Sequence, residues 1–287
     1  MENLLGMISK KKYNYLLFGE SVLYSKSPVI YSLFSYQTDF IVDYGICNVT
    51  KDNFFSKMCN FFYTDGKGAN VTVPFKELVC QSPVILTNRA KLCNSVNFLK
   101  KNKKNEIIGD NTDGMGLVYD LKRLNCIYPN YNILLIGSGG AARGIIPNLL
   151  NLNCTIDIVN RNFINAKKLE LFFNHLGPIK AIDIVHLKKI NYHLVINATA
   201  RNVEGKDDFF ISNVVFYPSK TFFYDLNYGD NITPFLSWCI DNGAIYYSDG
   251  IGMLVSQAAY SFYYWSNIFP EINPVINILN ESKKYFI

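Results

Sequence analysis

Residues Ile133 to Gly144 read "ILLIGSGGAARG", and this stretch decides the fold. The apolar run Ile133 to Ile136 reads as a strand. Gly137-x-Gly139-x-x-Ala142 follows as the turn into a helix, a dinucleotide fingerprint with alanine in the third place. Gly137 permits the tight turn, and Gly139 lets the backbone approach a pyrophosphate. Ala142 is small enough for helix to pack on strand. The helix N-terminus then presents free N–H groups and a positive dipole end to the phosphates. The bland alternative is a glycine-rich turn that binds nothing. A strand before the motif and a helix after it both argue against that.

The end of the following strand selects the cofactor. An NAD site places Asp or Glu there, to bond the ribose 2′-hydroxyl. This chain has "IVNRN", with Asn160 and Arg161 after the strand. A carboxylate repels a 2′-phosphate, whereas a guanidinium binds one bidentately. Asp157 is the nearest acid, but it precedes Ile158 and Val159 and lies inside the strand. NADP is the expected cofactor.

Working outward, "CTIDIVN", "HLVINAT", "TFFYDLNY" and "GAIYYSDG" read as the later strands of this α/β unit. From Met253 onward the chain reads as helical twice, around "LVSQAAYSFYYWSNIF" and "PVINILNESKK". Upstream, "YNYLLFGES" (strand Tyr13 to Phe18), "VDYGICNV" and "GANVTV" alternate with helical "SPVIYSLFSYQ" and "NFFSKMCNFFY". Ser27 is the expected N-cap of the first helix, with Pro28 at its first position. This alternation predicts a second α/β layer with parallel pairing. Between the units, "KKNKKNEIIGDNTDG" combines a charged hairpin tip with a Gly- and Asp-rich turn. A helix is expected from about Leu117 to Leu124. No internal repeat or low-complexity linker is present.

Composition narrows the function classes. The 287 residues are 49% hydrophobic and 18% charged, which is globular and not disordered. The net charge of +5 comes from short, scattered runs such as Lys10 to Lys12 and Lys100 to Lys104. They read as solvated surface, and without a basic stripe interleaved with aromatics no nucleic-acid partner is expected. Seven cysteines without a C-x-x-C argue against a disulfide framework or thiolate zinc, so no metal is expected. Nothing resembles a signal peptide or a membrane span, so a cytoplasmic protein is expected. The three histidines, His175, His186 and His193, lie apart from the polar clusters. Acid–base chemistry must then fall to lysine, aspartate or tyrosine.

Several polar stretches exceed what a core needs. "YSKSP" sets Ser25 and Ser27 before a helix, where two hydroxyls suit a carboxylate. "GANVTVPFKE", Gly68 to Glu77, alternates in parity until Pro74. Ala69, Val71 and Val73 are expected to face the core, and Asn70 and Thr72 a cleft, with Lys76 just beyond. "SVNFL" places Asn97 among apolar residues, and "GDNTDG" places Thr112 and Asp113 between the two units.

In this order and at these spacings, together with the glycine turn, the N-R dipeptide and "DGIGMLVSQA", the chain from about Leu16 to Leu279 resembles the shikimate dehydrogenases. The most specific parts of the resemblance are "GANVTVPFKE" and "GDNTDG". It implies a two-domain α/β fold with the active site in the cleft between the domains. A substrate-binding catalytic domain would span residues 1–112, completed by C-terminal helices in 253–287. A Rossmann-type NADP-binding domain would span 113–252. The resemblance puts Ser25 and Ser27 on the shikimate carboxylate. It puts Thr72, Lys76, Asn97 and Asp113 on the ring hydroxyls and the reacting carbonyl, with Tyr228 and Gln257 as further substrate contacts. Gly137, Ser138, Gly139, Gly140 and Ala141 match the pyrophosphate loop. Asn160, Arg161, Asn162 and Asn165 match the 2′-phosphate loop, and Leu226 and Gly250 flank the nicotinamide.

Departures from the family pattern are visible. Tyr24 replaces the usual histidine before S-K-S-P, and Phe98 the usual threonine after Asn97. A common acidic residue is Asn88 here. No second basic residue stands near Asn165, which leaves Arg161 largely alone on the 2′-phosphate. Ala200 and Arg201 replace small polar residues after "NAT", and Arg201 could add charge near the cofactor. None of these changes touches Lys76 or Asp113.

The implied reaction is the reversible NADPH-linked reduction of 3-dehydroshikimate to shikimate, in chorismate and aromatic amino acid biosynthesis. Lys76, paired with Asp113, is the expected proton donor. Whether the lysine acts as an acid or as an electrostatic anchor stays open in the sequence. The resemblance leaves monomer and homodimer both open. Two rivals remain: a quinate/shikimate dehydrogenase using NAD, and a non-catalytic paralogue that keeps the fold. The S-K-S-P spelling and N-R dipeptide argue against the first, and the intact Lys76, Asp113 and glycine loop against the second.

Overall fold

A computed structural model describes residues 13–187, 191–199 and 217–281. Ala200, Arg201 and the first lysine run lie outside the described residues, as do the last six residues of the C-terminal segment. The described chain forms two six-stranded sheets with helices packed on both faces of each.

The first sheet contains β1 (Tyr15–Gly19), β2 (Tyr44–Asn48), β3 (Gly68–Val71), β4 (Ile85–Leu86), β5 (Phe98–Lys101) and β6 (Ile107–Asp110), in the order β2-β1-β3-β5-β6-β4. The pairs β2-β1, β1-β3 and β4-β6 are parallel, but β5 runs antiparallel to both neighbours. The expected parallel pairing therefore holds for β2-β1-β3 and β4-β6, and the antiparallel part lies at the expected hairpin. The charged "KKNKKNE" tip closes a β5–β6 hairpin, and a hairpin is necessarily antiparallel. Helices α1 (Ser27–Thr38), α2 (Phe54–Thr64) and α3 (Asn88–Cys93) cover it.

Helix α4 (Asp113–Arg123) leads to the second sheet. It begins a full turn earlier than its sequence suggests. Gly114 and Gly116 are poor helix formers, yet they let α4 lie close on its neighbours. A Cβ on Gly114 would meet Asn148, and one on Gly116 would meet the backbone of Gln257. Asp113 thereby becomes the first residue of a helix, where a carboxylate is favoured by the dipole.

The second sheet comprises β7 (Asn132–Ile136), β8 (Thr155–Val159), β9 (Ile179–Ala181), β10 (Leu194–Asn197), β11 (Phe222–Asp225) and β12 (Tyr246–Ser248). All its pairs are parallel, in the order β12-β11-β10-β7-β8-β9. This is the doubly wound arrangement, whose direction reverses between β7 and β10, and ligands bind outside the strand C-termini at that reversal. Helices α5 (Gly140–Leu150), α6 (Phe163–Phe173) and α7 (Pro234–Asp241) pack on it. Ile133 and Leu135 bury on one face, Leu134 and Ile136 on the other, each with its own core.

The C-terminal helices α8 (Ile251–Ser266) and α9 (Ile272–Glu281) return to α1 and the first sheet. Trp265 is the anchor: it stacks on Phe98 with ring centroids 5.4 Å apart and donates to the Leu99 carbonyl at 3.1 Å. The Phe98 departure thus feeds the core. Val73, expected to face the core, is 47% exposed. The regular strand already stops at Val71, so the alternation ends before Val73 is reached.

Candidate active site

The C-terminal ends of both sheets open onto one cleft of about 960 Å³. Every substrate and cofactor position named from the sequence lines it, from Ser25 and Ser27 on one wall to Asn160, Arg161, Asn162 and Asn165 on the other.

At its centre Lys76 Nζ lies 2.7 Å from Asp113 Oδ2, with the two side chains 12% and 5% exposed. The Pro74 turn delivers Lys76 from the end of β3, and the Val96 N–H fixes the Lys76 carbonyl at 2.9 Å. Asp113 comes from the first turn of α4. Its second oxygen accepts from Asn97 Nδ2 at 2.7 Å. Asn97 Oδ1 accepts from the Thr112 N–H at 2.8 Å, and its Nδ2 also reaches Gln257 Oε1 at 3.2 Å. A buried, charge-assisted pair is thus seated in an amide network that orients both of its carboxylate oxygens.

Ser25 and Ser27 lie on the rim of the first sheet, their hydroxyls 3.1 Å apart. Ser27 is not the N-cap of α1. It is the first helical residue, Lys26 occupies the cap, and no side chain caps the helix. Ser25 Oγ instead accepts from the Ser27 N–H at 3.2 Å. Tyr228 reaches over from the second sheet towards Ser25 and Lys26, and burial pushes its phenol up. Thr72 and Gln257 complete this wall. Asn70 also lines the cleft, but its polar atoms serve the core. Its Oδ1 accepts from both Tyr31 and Tyr44 at 2.8 Å, and its Nδ2 donates to the Asn97 carbonyl and Ser261 Oγ. Tyr24 stands 95% exposed at the entrance.

On the opposite wall Gly137 has φ +107°, and a Cβ there would press on Ala198 and Thr199, so only glycine fits. Gly139 is the extended N-cap of α5, and no side chain caps that helix. Its first-turn N–H groups therefore suit a diphosphate. Ser95 Oγ donates to the Gly140 carbonyl at 3.2 Å, tying this loop to the first sheet. Asn160 Nδ2 bonds the Asn162 carbonyl, and Asn162 caps α6. The exposed Arg161 borders the cleft beside them. Asp157 is engaged elsewhere, accepting from the Tyr192 hydroxyl at 2.8 Å. The residues present thus fit a dinucleotide carrying a 2′-phosphate. Leu226 and Gly250 form the inner end of this wall.

Among the described residues, two ion pairs link the sheets beside the cleft. Lys26 Nζ meets Asp230 Oδ1 at 2.9 Å, and Arg143 Nε lies 3.0 Å from Glu77 Oε2 without hydrogen-bond alignment. No histidine lines the cleft among the described residues. His193 stacks on Tyr131 and accepts from the Asn132 N–H at the far end of β7. The same residues hold no group of metal-binding side chains.

Thr199, Asn227, Met253 and Leu254 also line the cleft, although the sequence singled none of them out as a site residue. Behind them lies a buried cluster, Asn197 and Asp225, at the ends of β10 and β11. One signal was available for it: a polar residue closes each of the apolar strands "LVIN" and "FFYD", on the side where doubly wound sheets bind ligands.

Residues 17–99 match the family model described as shikimate dehydrogenase substrate binding domain. A shikimate dehydrogenase (NADP(+)) of Buchnera aphidicola subsp. Schizaphis graminum is 48% identical over 274 residues, covering 96% of this chain and 99% of its own. The crystal structure of an Ael1 enzyme from Pseudomonas putida superposes with a TM-score of 0.81 at 30% identity, over 92% of this chain and 97% of its own. That of Aquifex aeolicus shikimate dehydrogenase also gives 0.81, at 24% identity, over 97% of this chain and 100% of its own.

Proposed function

The chain belongs to the NADP-linked shikimate dehydrogenase family, and from that premise we propose how its residues divide the reversible reduction of 3-dehydroshikimate to shikimate. The reaction is a step of chorismate and aromatic amino acid biosynthesis. NADPH, when bound, supplies the hydride. The remaining demands fall on the chain: hold the substrate, stabilise the oxygen that gains charge, and deliver a proton.

Lys76 meets the last two demands. Its largely buried ammonium would stand beside the reacting oxygen and hand it a proton, or take one back in the reverse direction. Asp113 holds the ammonium in place and accepts a hydrogen bond from a neighbouring ring hydroxyl. Asn97, Thr72, Gln257 and Tyr228 orient the ring, and Ser25 and Ser27 bind its carboxylate. Gly137 to Ala141 cradle the pyrophosphate. Asn160, Arg161, Asn162 and Asn165 surround the 2′-phosphate, and Leu226 and Gly250 face the nicotinamide. The observation that carries this reading is the 2.7 Å Lys76–Asp113 pair in the same cleft as the uncapped glycine loop. We place the substrate-binding unit in residues 1–112 plus the C-terminal helices, and the NADP-binding unit in 113–252. Seven free thiols suit the reducing cytoplasm. No described helix is long and apolar enough to cross a membrane.

The purified protein should reduce NADP(+) when given shikimate, followed by absorbance, in parallel with quinate and with NAD(+). Turnover chiefly with shikimate and NADP(+) is the expected result. Preference for quinate and NAD(+) would move the chain to the quinate/shikimate branch, and no turnover of either would mark a non-catalytic paralogue.

A further inference from the structure

Asp225 closes β11 and is 1% exposed. One oxygen, Oδ1, accepts three hydrogen bonds at 3.0 Å: from Asn197 Nδ2, from the Asn227 N–H and from Asn227 Nδ2. Thr233, the N-cap of α7, faces the carboxylate as well. None of these partners is a cation. The group is therefore an expensive choice for packing alone, because a buried charge without a counter-charge opposes folding.

What the carboxylate holds is specific. Asn197 Oδ1 accepts from both the N–H and the hydroxyl of Thr199, at 3.1 and 2.7 Å. Asn227 Nδ2 also donates to the Thr199 carbonyl at 3.0 Å. The Asn227 carbonyl receives the Gly250 N–H at 3.0 Å, and the Leu226 N–H bonds the Asn197 carbonyl at 2.9 Å. The segments after β10, β11 and β12 are thus tied into one frame with Asp225 at its centre. Thr199, Leu226, Asn227, Tyr228 and Gly250, all borne by that frame, line one end of the cleft. Arg161, at the other end, follows β8 and makes none of these bonds.

We propose that Asp225 is a positioning residue for hydride transfer. Through Asn197 and Asn227 it sets the surface against which the nicotinamide end of the cofactor lies, and it aims Tyr228 at the substrate. The inference rests on the shikimate dehydrogenase reading of the cleft. The adenine end, held by the loop after β8, is independent of it. Asp225 touches neither substrate nor cofactor, so its effect is on geometry, where a displacement of about 1 Å costs up to about a hundredfold in rate.

The test compares wild type with Asp225→Ala, Asp225→Asn and Asn227→Ala. The readouts are kcat with shikimate and NADP(+), and affinity for adenosine 2′,5′-bisphosphate, which carries the adenine end alone. In Asp225→Ala and Asn227→Ala, kcat should fall about tenfold to a hundredfold, with affinity for the bisphosphate within about twofold of wild type. Asp225→Asn keeps an acceptor at Oδ1 and should hold kcat within about threefold. Asn227→Ala carries the test if Asp225→Ala does not fold. Wild-type kcat in Asn227→Ala would overturn the inference. So would bisphosphate affinity that falls in step with kcat, since that is the mark of general loosening. A wild type that binds the bisphosphate but turns over no shikimate would overturn the reading of the cleft, and this inference with it.

Discussion

Replacing Asp225 by Asn should make the stability of the protein less dependent on pH, in a direction fixed by the burial of that carboxyl. Burial pushes it from an ordinary 3.8 up to about 6, and the polar groups of Thr233, Asn227 and Asn197 pull it only part of the way back. Cys239 on α7 faces it too, and burial followed by the Asp225 charge pushes that thiol up. Because the folded value is raised, the native state binds the proton more tightly than the unfolded chain. The contribution to stability is fully present below about pH 4 and is lost as pH rises through about 6. A gap of about 2 units at about 1.4 kcal/mol each gives roughly 3 kcal/mol over the whole window. Asparagine imitates the protonated form at every pH. Urea denaturation of both proteins from about pH 4.5 to about pH 8 should therefore show the variant gaining roughly 2 kcal/mol on the wild type. Parallel curves would mean that Asp225 is not held in the buried, uncompensated setting described above.

Arg161→Ala should raise KM for NADPH about tenfold or more, the worth of a charge-assisted bond to a phosphate, while KM for NADH changes little. An unchanged KM for NADPH would mean that another group holds the 2′-phosphate. Asn70→Ala should destabilise the fold by about 3 kcal/mol, because it strands the buried hydroxyls of Tyr31 and Tyr44. A loss below about 0.5 kcal/mol in urea denaturation would mean that those tyrosines find other partners.

Much of this was legible in the sequence because the chemistry sits at strand ends. Gly137 and Gly139 announce a tight strand-to-helix turn by residue type, and the structure gives Gly137 a φ that only glycine holds comfortably. The absence of an acid after Val159 is equally readable, and Asp157 does turn away to Tyr192. Lys76 and Asp113 are 37 residues apart, and only the family resemblance joined them before the geometry did. Ser27 misled because serine before Ile30 and Tyr31 suits a cap, whereas Pro28 tolerates either of the first two helical positions. The first turn of α4 was hidden by Gly114 and Gly116, whose helix propensity is poor but whose missing side chains admit α5 and α8. Asn70 read as a cleft residue by parity. Its neighbours in space, Tyr31, Tyr44 and Ser261, come from segments far along the chain, and no local pattern reveals that they exhaust it. Of the frame around Asp225, only the polar residues that close β10 and β11 were readable, and the bonds that join them across the strands were hidden for the same reason.

The central claim is that Lys76, steadied by Asp113, carries the proton step. The most direct measurement is steady-state kinetics of Lys76→Ala with shikimate and NADP(+), with folding checked by circular dichroism. Loss of general acid–base and electrostatic help should lower kcat by about a hundredfold to ten-thousandfold, while KM for shikimate moves far less. A folded Lys76→Ala variant with kcat within about threefold of wild type, well short of any such loss, would contradict the account.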